Sequence, residues 1–64
     1  MNAMATRERI GAIVHALQED PGQTAPQLAE HLGVSRRHAA LLLLRLEELG
    51  YVEHDGRRWF PPPD

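Results

Sequence analysis

Residues 24–50, TAPQLAEHLGVSRRHAALLLLRLEELG, read as a short helix, a tight turn and a longer helix. Thr24-Ala25-Pro26-Gln27 fits a capping box, in which a threonine hydroxyl and a glutamine side chain each satisfy an otherwise orphaned amide. Proline in the first turn loses no hydrogen bond there. The short helix that follows buries Leu28, Ala29 and Leu32, and Gly33 stops it. Ser35 then caps a second helix, and Gly50 can take the left-handed conformation that closes its last turn. The fourteen residues between Ser35 and Gly50 include no glycine, proline or β-branched residue, so nothing local opposes the helix.

A helix buries one stripe, and four consecutive leucines cannot all lie on it. Stepping about 100° per residue places Ala39, Leu42, Leu43, Leu46 and Leu49 on one side, the predicted core stripe. Arg37, Leu41, Leu44 and Glu48 fall on the opposite side. A pair of outward leucines at helical spacing has three readings. They contact DNA bases, they form a protein interface with another copy or a different protein, or the helix is rotated so that a tail or the first helix covers them.

Upstream, Ile10, Ile13, Val14 and Leu17 follow the i, i+3, i+4, i+7 spacing of an amphipathic helix beginning near Thr6. Gly11 inside it predicts close packing, because glycine costs roughly 1 kcal/mol relative to alanine in a helix. Asp20-Pro21-Gly22 breaks the helix, and Gln23-Thr24 is a candidate for a short strand. Downstream of Gly50 the period changes to two. Tyr51-Val52-Glu53-His54 and Arg57-Arg58-Trp59-Phe60 flank Asp55-Gly56, a strong hairpin signal. A two-residue turn there pairs His54 with Arg57, Glu53 with Arg58, Val52 with Trp59 and Tyr51 with Phe60. Val52 and Trp59 then face the core, with Glu53 and Arg58 outside. The prolines at 61–63 cannot donate to a ladder and end the strand. The expected organisation is a tail over residues 1–5, one domain over 6–60 and a proline tail over 61–64.

A chain of 64 residues is one small domain, burying only about 60% of the surface its unfolded form exposes. It has no cysteine, hence neither disulfides nor thiolate ligands to add stability. Self-association is a natural way to gain burial. No apolar run approaches the ~20 residues of a membrane span, and MNAMATRERIGAIV lacks a signal-peptide pattern, which predicts a cytoplasmic location. The formal net charge of −2 argues against a general nucleic-acid coat protein. Its distribution matters more. All seven basic residues are arginines, and five of them, Arg36, Arg37, Arg45, Arg57 and Arg58, lie in the second half.

Three helices, the second and third joined by LGVS, followed by a glycine-tipped hairpin, resemble the winged helix-turn-helix of prokaryotic (bacterial, archaeal or phage) transcription regulators. The likeness covers roughly residues 6–60, and Ala29, Gly33 and the LEELG segment ending at Gly50 stand where that pattern has them. It implies a mainly α fold with a small β-hairpin, three helices plus a wing. It further implies double-stranded DNA as partner, with the third helix in the major groove and the wing on backbone or minor groove. Residue by residue, that assigns DNA contact to Ser35, Arg36, Arg37 and His38 at the groove end, and to Arg57 and Arg58 in the wing. Arginine suits both tasks, forking onto guanine edges and neutralising phosphate. A homodimer would place two such helices on a roughly palindromic site. The sequence departs from the family pattern at Leu41 and Leu44, where polar or basic residues are usual. That departure keeps an alternative open, a winged-helix interaction or dimerisation module with little DNA affinity.

Nothing points to catalysis. There is no Gly-rich phosphate loop, nucleophile elbow or carboxylate dyad, and Glu47 and Glu48 diverge by about 100° on their helix. The histidines at 15, 31, 38 and 54 show no HxxxH spacing, so no metal site and no cofactor are expected.

Overall fold

The structure, a computed structural model of the chain, describes residues 6–62. The tail expected over residues 1–5 and the last two residues of the proline tail lie outside the described residues. The elements in order are α1 (Thr6–Glu19), β1 (Gln23–Thr24), α2 (Ala25–Leu32), α3 (Arg36–Glu48), β2 (Glu53–Asp55) and β3 (Arg58–Phe60). The strands form one antiparallel sheet in the order β1-β3-β2, so Gln23-Thr24 is indeed a strand beside the hairpin.

One core joins all layers. Ile13, Ala16 and Leu17 of α1 meet Leu28 of α2, Leu43 and Leu46 of α3, Val52, and Trp59 of β3. Ile10, Ala25, Leu32 and Leu42 pack against this cluster half-buried. Gln23 closes the end of α1, its side-chain amide donating to the carbonyls of Ala16 and Asp20, each at 3.0 Å. Both sequence-predicted caps of α2 and α3 are present. Thr24 and Gln27 form the reciprocal capping box, and Ser35 Oγ accepts the His38 amide at 3.0 Å.

Gly11 is not a close-packing site. It is exposed, and a Cβ added there meets nothing within 4 Å. With no neighbour to displace, Gly11→Ala should gain the helix-propensity difference, about 0.5–1 kcal/mol. For a domain of this size that raises the thermal midpoint by several degrees, measurable by circular dichroism.

Two further expectations are corrected at the end of α3. Leu49 is 57% exposed rather than in the core stripe. The amide of Gly50 (φ +87°) donates to Glu47 at 3.0 Å and that of Tyr51 to Leu46 at 2.8 Å, the double bond pattern of a left-handed helix terminus. This closure commits Tyr51 to the helix end, so β2 begins at Glu53 rather than Tyr51. Leu46 and Val52 fill the core on either side of the closure, and Leu49, at the margin of the stripe, is left outside.

The hairpin register also differs. Glu53 pairs with Phe60, His54 with Trp59 and Asp55 with Arg58, around a Gly56-Arg57 turn. A two-residue Asp55-Gly56 turn of the favoured type requires positive φ at both positions, whereas no described non-glycine residue has one. Gly56 at φ +64° instead takes the first central position, where a single glycine suffices. Each residue of β2 thus faces a partner two positions further along than expected, an even step that leaves side-chain faces unchanged. Val52 and Trp59 therefore remain buried, as the alternation implied.

Candidate nucleic-acid interface

The α2-turn-α3 unit presents the first turn of α3 to solvent. The Ser35 hydroxyl is occupied as the helix cap, and Ala39 N–H is bonded to the Ser35 carbonyl at 3.0 Å. Arg36 and Arg37 are exposed beside this terminus, and His38 is half-buried. Neither arginine has an ion-pair partner among the described residues. The free amides at a helix start carry partial positive charge, so two unpaired guanidinium groups there form a local anion-attracting point on a chain of net negative charge. Arg36 also borders a cleft with Pro26, Gln27 and Val34 at the α2–α3 junction.

In the hairpin the two arginines have different situations. Arg57 lies in the turn, not on the strand as expected, and is exposed. Arg58 donates from its Nη1 to the Gly22 carbonyl at 2.9 Å, tying β3 to the link between α1 and β1. Its guanidinium is thus partly engaged in holding the fold. Arg57 and Trp59 line a second concavity with Thr24, Ala25 and Pro26. Pro26 borders both concavities, which sets Arg36 and Arg57 on either side of the start of α2. In the sequence, Thr24-Ala25-Pro26 carries only the signal of a helix cap. The β1–β3 pairing, which brings that segment beside Trp59, had only the weak signal of Gln23-Thr24.

The hairpin base is clamped to the far half of α3. His54 Nδ1 and a Glu47 carboxylate oxygen are in hydrogen-bonding contact, and the His54 ring lies 4.8 Å from that of Trp59 at 43°. This contact joins β2, β3 and α3 on the side away from the first turn. Leu41 and Leu44 stand in solvent, 58% and 54% exposed. The reading in which the first helix covers them is overturned, because α1 joins the core through the opposite, buried residues Leu43 and Leu46 of α3; the tail named beside it lies outside the described residues.

Residues 7–53 match the family model described as winged helix-turn-helix DNA-binding. The chain belongs to that family. Its winged helix is similar to the solved Zalpha domain of ORF112 from Cyprinid Herpesvirus3, whose described binding mode is to Z-DNA. The likeness has a TM-score of 0.81 and 26% identity, over 92% of this chain and all of that one. No curated protein matches the chain. Among the described residues the winged helix holds no cluster of three or more potential metal-ligating His, Cys, Asp or Glu side chains. No described helix is long and apolar enough to cross a membrane.

Proposed function

We propose that this winged helix is a small, non-enzymatic transcription regulator of the prokaryotic kind, acting in the cytoplasm and reading duplex DNA. The first turn of α3 serves as the reading end and the Gly56-Arg57 tip as the wing contact. The observation that carries this reading is the pair of unpaired, exposed arginines at the start of α3, with Arg57 across the start of α2. Ser35 contributes the helix cap that orients them, accepting the His38 amide, and His38 brings an imidazole to the same turn. Arg58 adds positive charge near the wing while bonded to Gly22.

Fluorescence anisotropy with a labelled mixed-sequence duplex at low salt tests the proposal. Binding should weaken steeply with added salt, as counterions displaced by the arginines are restored. An alternating CG duplex held in the left-handed form is the informative comparison, given the Zalpha neighbour. Absence of binding to either duplex contradicts the reading.

A second reading, an interaction or dimerisation module with little DNA affinity, is favoured by the exposure of Leu41 and Leu44. Neither leucine can neutralise a phosphate, and Glu48 on the same face would repel one.

A further inference from the structure

The outer face of α3 reads, from its N-terminal end, Arg37, Leu41, Leu44, Glu48. These four residues are spaced symmetrically about the point midway between Leu42 and Leu43. At about 1.5 Å per residue, Arg37 and Glu48 lie roughly 8 Å on either side of that point, and Leu41 and Leu44 roughly 2 Å. All four are exposed. Neither Arg37 nor Glu48 has a charged partner among the described residues.

We propose that this face pairs with the same face of a second copy of the chain, two α3 helices crossing antiparallel about a two-fold axis through that midpoint. A two-fold interface must be self-complementary, with residue i meeting j and j meeting i. Here Leu41 meets Leu44 of the other copy, and Arg37 meets Glu48 of the other copy, at both ends. A parallel pairing would set arginine on arginine and glutamate on glutamate. An unrelated protein partner has no need of a charge order that reverses onto itself, and DNA has no use for Glu48. Two half-exposed leucines from each copy form a small apolar centre, so the dimer is weak and reversible.

Pairing in this way covers Arg37. The copies and the duplex therefore compete for one side chain, and the dimer is the DNA-free form. This second half rests on the reading role proposed above for Arg37.

Charge reversal with rescue tests the interface. In sedimentation equilibrium the wild type should associate reversibly. Arg37→Glu or Glu48→Arg alone should weaken association by roughly tenfold or more. An equimolar mixture of the two single variants should regain it, because each restored pair is opposite in charge, and so should the double variant. Circular dichroism confirms that each variant is folded. A wild type monomeric up to about 1 mM, association indifferent to the reversals, or loss without rescue would each overturn the proposal. For the competition, Leu41→Ala with Leu44→Ala separates the copies without changing charge. At protein concentrations where the wild type is dimeric, it should bind duplex more tightly, and unchanged or weaker binding overturns the competition. If the charge rescue holds while no variant binds any duplex, the interface stands and the DNA reading falls.

Discussion

Leu43→Ala should destabilise the domain by about 2–5 kcal/mol, while Leu41→Ala, two residues away on the same helix, should change stability by less than about 0.5 kcal/mol. Leu43 is completely buried between α1, α2 and the hairpin, whereas more than half of Leu41 is in water. Truncating Leu43 removes its transfer free energy and leaves a cavity that neighbouring helices cannot fully close. A domain of this length has total stability on the order of 3–10 kcal/mol, so this one substitution can leave much of the population unfolded. Urea denaturation of the two variants reads the difference directly. Equal effects would mean that α3 is rotated about its axis.

The second large effect concerns DNA. Arg36→Ala with Arg37→Ala should weaken duplex binding by about 2–6 kcal/mol if both read bases, since each bidentate arginine–guanine pair is worth about 1–3 kcal/mol. If they meet phosphate instead, the slope of log affinity against log salt should fall by about 0.9 for each phosphate no longer neutralised. Either outcome leaves stability nearly unchanged, because both side chains are exposed and unpaired. Arg58→Ala should behave in the opposite way. Its bond to the Gly22 carbonyl helps hold β3 to the α1–β1 link, so the loss appears mainly in stability, at no more than about 0.5–1.5 kcal/mol. Anisotropy titrations across a salt series, paired with urea curves, separate the two classes of arginine.

The helical part of the fold was legible because its signals are local. Thr24, Gln27, Ser35, Gly33 and Gly50 act within a turn or two of themselves, and each does in the structure what its residue type implies. The outward setting of Leu41 and Leu44 followed equally well from helical periodicity. What was not legible depends on neighbours distant in sequence or on fine backbone choices. Asp55-Gly56 and Gly56-Arg57 are both plausible two-residue turns, and the selection depends on φ at Asp55. Leu49 fits the stripe by angle but stands at the helix terminus, 57% exposed, while Leu46 and Val52 on either side of it are buried. Arg57 and Arg58 look equivalent in sequence. Only the return of the chain past Gly22 engages one and frees the other. His54 likewise gains its role from Glu47 and Trp59, neither of which a sequence motif links to it.

Amide chemical shifts followed during titration with duplex show whether DNA is read by the first turn of α3 together with the wing tip. The largest changes should fall at residues 35–38 and at Gly56 and Arg57. Changes confined to the outer face from Leu41 to Glu48, or centred on α1, would contradict it.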